Sequence, residues 1–229
     1  MLKFLHVGCG SKCKSKTTKG FNTDLWQEIR LDIDVNMNPD IVGTITDMTS
    51  VESSTVDAVF SSNNIEHIYA HEVPSALSEF LRVLNSRGFL VLTCPDLQSV
   101  CALVAEDKLL EPMYISPVGP VTPLDTLYGY GPFLSRGRMY MAHRCGFTRR
   151  VLTDHLRACG FGGVTCMPRG GAFHELWAVA TKSPVSEEEL QRLAAEHFPF
   201  DSRAVFRQLT PGSDKGPAAV SAKADDRSR

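Results

Sequence analysis

Glycine and carboxylate residues follow the first two apolar runs of the sequence, where they could bind a ligand. Gly8 and Gly10 come directly after the run at residues 2–7. Glycine lets a ligand approach the backbone closely and leaves N–H groups that can donate hydrogen bonds. Asp32 and Asp34 follow the next run, and a carboxylate there can accept hydrogen bonds from both hydroxyls of a ribose. This spacing is typical of a site for a ligand that contains a ribose.

Further polar side chains follow the next two apolar runs. Asp47 comes after the third run and could accept a hydrogen bond from the amino group of an adenine. Asn63, Asn64, Glu66 and His67 come after the fourth run. Because doubly wound sheets bind ligands at the carboxyl ends of their strands, we expect these groups at one edge of a sheet. His67 is a candidate catalytic base, and a structural hydrogen bond is the alternative explanation of its position.

A long segment without helical or strand periodicity, residues 108–145, comes later in the chain. Such connections in a compact domain are usually functional or disordered, and the Tyr and Met content of this one argues against disorder. Tyr128 and Tyr130 suit a substrate-binding wall because their rings are amphipathic. His143 is the one side chain of the segment that can act as a base near neutral pH. We therefore expect His143 to contact a substrate and to be a candidate catalytic residue.

The elements that must position these residues alternate between strands and helices. At residues 73–84 the apolar positions are three and one residues apart, which predicts a helix with one buried face. The continuous apolar run at 89–93 is typical of a strand that is buried on both faces of a parallel sheet. The predicted strands are 2–7, 29–33, 41–45, 56–60, 89–93, 164–167 and 176–181, and the predicted helices are 73–84, 96–107, 149–159 and 186–197. This alternation predicts an α/β fold with a doubly wound, mostly parallel, seven-stranded sheet of the Rossmann-like kind.

Three stretches of the sequence carry a family resemblance. They are LHVGCGSK, RLDIDVNMNPDIVGTITDM and VDAVFSSNNIEHIYAHEVPSALSEFLRVLNSRGFLVLTCPD. The last is the most specific, because it joins a strand, a Glu-His pair, an amphipathic helix that ends in Arg-Val-Leu, and a strand that ends in Pro-Asp. The chain resembles the class I S-adenosylmethionine-dependent methyltransferases of the type 11 methyltransferase-domain group. The resemblance covers residues 2–107, and residues 146–182 fit the closing elements of that fold, which include one antiparallel strand and follow an insert after the fifth strand.

The resemblance implies a role for each cofactor-binding residue. Gly8 and Gly10 would pass beneath the methionine part of S-adenosylmethionine, and Asp32 would hold its ribose. The other implied contacts are Asp47 and Met48 with the adenine, and Asn63 or Asn64 near the sulfonium.

The sequence also departs from the family pattern. Lys12 stands where the third glycine of the first loop is usual. A nicotinamide-dependent oxidoreductase is one alternative, but it would need that third glycine at the start of a helix. A non-catalytic binding protein that kept the fold is the other alternative, although the two glycines and Asp32 are present. We therefore expect a methyltransferase that acts on an oxygen or nitrogen atom of a small molecule, a sugar or a peptide.

Charge and composition restrict the partners of the chain. The formal net charge is −2, whereas a protein that binds a nucleic acid backbone is normally basic, so nucleic acid is disfavoured. No apolar run reaches the roughly 18 residues of a membrane span, and we expect a cytoplasmic protein without membrane contact. The 7 cysteines include no Cys-x-x-Cys pair, which predicts reduced thiols and no metal site. The sequence does not indicate an oligomeric state.

The sequence suggests three regions. We expect a methyltransferase domain at residues 1–182, in which residues 108–145 form a substrate lid or wall. A helical extension is predicted at 183–208. The last segment, 209–229, lacks aromatic residues and is predicted to be disordered.

Overall fold

The structure, a computed structural model, describes residues 1–202. The strands are β1 (Leu2–Val7), β2 (Trp26–Asp32), β3 (Ile41–Val42), β4 (Val56–Ser62), β5 (Leu84–Pro95), β6 (Tyr114–Ser116), β7 (Gly119–Val121), β8 (Gly163–Arg169) and β9 (Glu175–Thr181). The α-helices are α1 (Val73–Val83), α2 (Leu97–Ala105), α3 (Pro123–Tyr128), α4 (Gly131–Leu134), α5 (Arg149–Ala158) and α6 (Glu187–His197).

A 7-stranded sheet forms the centre of the fold, in the order β3-β2-β1-β4-β5-β9-β8. Strands β1 to β5 run parallel, and β9 is antiparallel to both of its neighbours, β5 and β8. The strand order reverses between β1 and β4, and doubly wound sheets bind their ligands at such a switch point. The predicted fold class is therefore confirmed: the sheet is doubly wound, mostly parallel and Rossmann-like, with one antiparallel strand.

Apolar layers cover both faces of the sheet, because successive strand residues point to opposite faces. Leu5 of β1 packs in the same cluster as Leu77 of α1. Its neighbour Phe4 packs in the opposite cluster, with Phe21 and with Leu193 of α6. Helices therefore enclose the sheet from both sides, as its continuous apolar strands require.

The connection between β1 and β2 is a loop, as predicted, with one 3₁₀ turn at Lys14–Lys16. Phe21 covers the sheet where a crossover helix would otherwise lie. Its ring stacks on Phe4 at 4.4 Å and meets the edge of Trp26 at 5.1 Å between centroids. His197 of α6 lies 4.4 Å from the same ring. Helix α6 therefore holds the loop against the sheet.

Several elements differ from the predictions, either in their bounds or in their secondary structure. Leu84 begins β5 instead of ending the preceding helix, because its backbone is extended and pairs with Val56. Strand β3 is limited to Ile41–Val42. The segment at 108–145, predicted to be irregular, contains the β6–β7 hairpin and the helices α3 and α4. Strands of 3 residues and helices of 6 and 4 residues are too short to leave a periodic signal in the sequence.

The predictions for the end of the chain fall partly outside the described residues. Helix α6 lies within the predicted extension at 183–208, which the structure describes as far as residue 202. The predicted disorder of 209–229 lies outside the described residues. Within residues 1–202, no helix is long and apolar enough to cross a membrane.

His197, the last residue of α6, is buried against the loop after β1. The residue is 1% exposed, and its Nδ1 shares a hydrogen bond of 2.7 Å with the Thr18 hydroxyl. Burial, together with the positive charges of Arg192 and Lys19, lowers the pKa of His197 from 6.5 to about 3. The folded protein therefore keeps this imidazole neutral at pH values where the unfolded chain binds a proton.

We predict that His197→Gln makes the protein less sensitive to acid. Between pH 6.5 and about 3 the unfolded state takes up a proton at His197 and the folded state does not, so stability is lost as the pH falls through this window. Glutamine can still bond to Thr18 but does not titrate. The Tm should therefore drop less between about pH 7 and about pH 4.5 in the variant than in wild type. His71→Gln, at an exposed histidine, should behave like wild type; equal drops in all three proteins would contradict the assigned protonation state.

Candidate active site

A cavity of about 650 Å³ lies at the carboxyl ends of β1, β2 and β4. Its wall combines the glycine loop (residues 8–12), the end of β2, the turn after β4, and the insert (residues 108–145). Small-molecule sites typically occupy a few hundred to about 1,000 Å³ and lie at such switch points. The predicted edge of the sheet is therefore a cleft, and the insert forms part of its wall.

The two glycines of the glycine loop have different surroundings. Both adopt the left-handed backbone region that favours glycine, with φ of +61° at Gly8 and +53° at Gly10. A Cβ atom at Gly8 would lie 2.4 Å from Cγ of Asn64, so only glycine allows this close packing. A Cβ atom at Gly10 would meet nothing within 4 Å. The backbone at Gly10 therefore leaves open space for a ligand.

Asp32, at the end of β2, holds the glycine loop in place. One carboxylate oxygen accepts a hydrogen bond of 2.7 Å from the N–H of Gly10, and the other accepts one of 2.9 Å from the N–H of Asp34. The residue is 7% exposed and borders the cavity. Each oxygen keeps a further lone pair for a ligand.

Two other side chains of β2 support the glycine loop and the residues that follow it. The guanidinium of Arg30 donates hydrogen bonds to the carbonyl oxygens of Gly10, at 2.7 Å, and Lys12, at 3.1 Å. The carboxylate of Glu28 accepts a hydrogen bond of 2.7 Å from the N–H of Lys14. These roles were not predicted from the sequence, where Glu28 and Arg30 are simply alternate charged residues of a strand.

The segment after β3 differs from the prediction for the adenine. Met48 is fully buried in the core, so its side chain does not reach the cavity, which corrects the predicted contact. Asp47 is exposed and accepts a hydrogen bond of 3.1 Å from the N–H of Thr49. Its contact with an adenine stays a prediction. The residues of this segment that border the cavity are Thr44, Ile45 and Thr46.

Asn63 and Asn64 both border the cavity, at the turn after β4. Asn63 has a φ of +48°, and its N–H donates to the carbonyl of Thr93 at 2.9 Å. The amide nitrogen of Asn64 is buried and has no hydrogen-bond partner within residues 1–202. A buried donor without a partner is a candidate ligand contact, because leaving it unpaired costs free energy.

The structure brings His67 and His143 together on the cavity wall. Their ring centroids are 4.9 Å apart, with the planes at 70°. Nδ1 of His67 lies 3.2 Å from the carbonyl of Ala142, and Nδ1 of His143 lies 2.6 Å from that of Thr126. Burial lowers the pKa of His67 to about 4 and also lowers the pKa of His143. Both imidazoles are therefore neutral at pH 7.

Glu66 lies next to this pair; the sequence predicted its place at this edge of the sheet but no role for it. It is 2% exposed and borders the cavity. Burial raises the pKa of its carboxyl to about 8, and the negative charge of Glu175 acts in the same direction. Within residues 1–202, neither carboxyl oxygen has a hydrogen-bond partner of ordinary geometry.

The tyrosines of the insert have different positions. Tyr130 borders the cavity, and its hydroxyl donates to the carbonyl of Val118 at 2.8 Å. Tyr128 is 63% exposed and lies outside the cavity wall, so the predicted substrate contact at Tyr128 is wrong: the last turn of α3 directs the ring to solvent. Tyr140, which was not predicted, donates from its hydroxyl to Asp34 at 2.7 Å and links the insert to the end of β2.

Comparisons with known proteins agree with this architecture. Residues 5–92 match the model of the type 11 methyltransferase domain. A SAM-dependent methyltransferase from Methanosarcina mazei is 15% identical over 80% of this chain and 93% of its own, with a TM-score of 0.51. One from Thermotoga maritima, described as a possible histamine N-methyltransferase, is 14% identical over 79% of this chain and 82% of its own, with a TM-score of 0.50. No curated protein sequence matches the chain.

The matched region carries most of the cavity wall described above. It contains the glycine loop, Asp32 and the turn with Glu66 and His67. S-adenosylmethionine is the cofactor of this domain, which favours it over the nicotinamide-dependent alternative. Residues 5–92 therefore match a type 11 methyltransferase domain, which uses S-adenosylmethionine, and the chain shares the fold of the two solved methyltransferases.

Proposed function

We propose that the protein transfers a methyl group to an oxygen or nitrogen atom of a small molecule, a sugar or a peptide. The observation that carries the proposal is that one cavity joins the glycine loop to the paired imidazoles of His67 and His143. The two ends of this cavity differ in chemistry, and we assign one to the cofactor and the other to the acceptor.

The cofactor end fits a molecule with a ribose and an amino-acid part. The Asp32 carboxylate has lone pairs beyond the two that accept backbone N–H groups, and a ribose offers two hydroxyl donors. The open space at Gly10 and the unpaired amide of Asn64 suit the close approach of a polar ligand. The residues assigned to S-adenosylmethionine are Gly8, Gly10, Asp32, Asn63 and Asn64, with Asp47 as a prediction for the adenine.

The acceptor end is formed by the insert and by the turn after β4. Tyr130 and His143 come from the insert, and His67 comes from the turn. Because each Nδ1 faces a carbonyl oxygen, which only accepts, Nδ1 carries the hydrogen and Nε2 keeps a lone pair. A neutral imidazole of this kind can accept a proton from an acceptor hydroxyl or amine.

Different residues of the chain bind the cofactor, orient the acceptor and accept its proton. When bound, S-adenosylmethionine supplies an electrophilic methyl carbon, which the acceptor atom takes as the bond to sulfur breaks and S-adenosylhomocysteine is left. Asp32 and the glycine loop hold the cofactor, and the insert orients the acceptor, so that the two reactants meet in a defined geometry. The imidazole of His143 or His67 receives the proton that the acceptor gives up.

The charges around the cavity disfavour a strongly anionic acceptor. Carboxyl groups outnumber cations on its wall, where Asp32, Asp34, Glu66, Glu72, Asp125 and Glu175 stand against Lys12, Arg138 and Arg144. A nucleic acid backbone would need an excess of cations, which neither this wall nor the net charge of −2 provides.

We predict that Asp32→Ala weakens the binding of S-adenosylhomocysteine at least about tenfold, as measured by calorimetry. Hydrogen bonds to a charged group contribute roughly 1.5–3 kcal/mol each, and the variant loses those to the ribose. Asp34→Ala is the matched control and should change the dissociation constant by less than about threefold. Equal affinity in Asp32→Ala and wild type would show that Asp32 does not hold the ribose.

Folding of the Asp32 variant needs a separate measurement, because the substitution also leaves the N–H groups of Gly10 and Asp34 without their acceptor. The Tm without ligand reports this structural loss. The increase in Tm that saturating S-adenosylhomocysteine causes in each protein reports binding. Loss of the increase in a folded variant supports the assigned role.

We predict that His143→Ala lowers turnover at least about tenfold, since a positioned general base contributes about 10²–10⁴ in rate. Tyr130→Ala should also lower turnover, while both variants bind S-adenosylhomocysteine within about threefold of wild type. Turnover is measured with labelled S-adenosylmethionine and the acceptor that a panel of small molecules, sugars and peptides identifies.

Tyr128→Ala is the control for these variants, because it removes an exposed tyrosine of the same insert. Its turnover should stay within about twofold of wild type. Normal turnover in both His143→Ala and Tyr130→Ala would place the acceptor elsewhere. Parallel loss of cofactor binding and turnover would assign the insert to the cofactor end instead.

A further inference from the structure

We propose that Glu66, His67 and His143 bind a divalent metal cation at the acceptor end of the cavity. One possible ligand atom from each residue lies within 4.8 Å of the other two, and all three residues border the cavity. Three donors at about 2.0–2.2 Å from one cation lie roughly 3.5 Å apart, so the three side chains need to close in by only about 1 Å to contact the same cation.

Backbone hydrogen bonds hold the three residues close to one another. Glu66 and His67 lie in the 3₁₀ turn Ile65–His67 that follows β4. The carbonyl oxygen of Glu66 accepts hydrogen bonds from the N–H groups of Arg144, at 2.8 Å, and Cys145, at 3.3 Å. His143 is therefore held beside Glu66 by the residues that follow it, although the two are far apart in sequence.

The hydrogen bonds that the two imidazoles make through Nδ1 suit metal ligation. The carbonyl oxygens of Ala142 and Thr126 lie 3.2 Å and 2.6 Å from Nδ1 of His67 and His143, respectively. Metal-binding histidines commonly donate one ring N–H to a carbonyl, which fixes the tautomer and leaves the other nitrogen as the ligand. Both imidazoles have this arrangement before any metal binds.

Glu66 supplies the strongest argument, because its carboxyl is buried without a partner. Both oxygens lack a hydrogen bond of ordinary geometry within residues 1–202, and none of the ion pairs found there includes Glu66. A buried carboxyl with neither a hydrogen bond nor a counter-charge is costly and therefore rare. A cation at this position would provide the missing partner.

The donor set indicates the class of metal. Two imidazoles and one carboxylate suit zinc, manganese or iron(II), whereas calcium and magnesium prefer oxygen ligands. Three protein ligands leave at least one coordination position open for another molecule.

The role of the cation rests on the proposed function. A hydroxyl oxygen of the acceptor would occupy the open position, and the cation would lower its pKa so that its proton leaves to solvent. The imidazole lone pairs then bind the metal instead of receiving this proton. A metal at this place therefore favours an oxygen acceptor over a nitrogen acceptor.

The test uses Co²⁺ as a spectroscopic probe of the full-length protein after chelator treatment. We expect one Co²⁺ per chain, with a visible absorption band and a dissociation constant below about 10 µM. Glu66→Gln, His67→Ala and His143→Ala should each weaken this binding at least about tenfold. His71→Ala removes an exposed histidine four positions from His67 and should bind Co²⁺ like wild type.

Several outcomes separate this inference from the proposed function. Glu66→Gln keeps the shape of the side chain, and the binding of S-adenosylhomocysteine reports whether each variant is folded. Wild-type binding of Co²⁺ weaker than about 100 µM, or unchanged binding in the three variants, overturns the metal site. If turnover still depends on His143 in that case, the imidazole acts as the base and the proposed function stands. Co²⁺ binding without methyl transfer would support the metal site and overturn the proposed function.

Discussion

The rest of the active site depends on the hydrogen bonds that β2 makes to the glycine loop. In many doubly wound folds a helix follows this loop and its N-terminus fixes the backbone N–H groups. Here the loop leads into another loop, and Asp32 and Arg30 hold its backbone from the neighbouring strand. His6 of β1 bonds to Glu28 of the same neighbouring strand at 2.7 Å. Charged side chains of one strand thus replace the support of a helix.

The second end of the cavity is assembled by contacts between distant parts of the chain. The turn after β4 brings Glu66 and His67, and the insert returns over the sheet edge to bring His143. Backbone hydrogen bonds to the carbonyl of Glu66 and the bond between Tyr140 and Asp34 attach the insert at two places. The two ends of the cavity are therefore coupled through the insert, because the end of β2 supports both the glycine loop and one attachment of the insert.

The sequence predicts what depends on local pattern and misses what depends on tertiary contact. The order of strands and helices follows from apolar periodicity, and the positions of Gly8, Gly10 and Asp32 follow from strand ends. Tyr128 was assigned to the cavity wrongly, because the direction of a side chain on a helix of 6 residues cannot be derived from periodicity. Met48 is buried because the segment after β3 turns into the core. The grouping of Glu66 with His143 leaves no sequence signal, since neither spacing nor composition links them.

The most direct test of this account is a crystal structure of the protein with S-adenosylhomocysteine. We expect the ribose hydroxyls to bond to the Asp32 carboxylate, the amino-acid part to lie along Gly8 and Gly10, and the sulfur to face His67 and His143. A ligand bound outside this cavity, or one whose sulfur points away from the two imidazoles, would contradict the assignment of one cavity to both reactants.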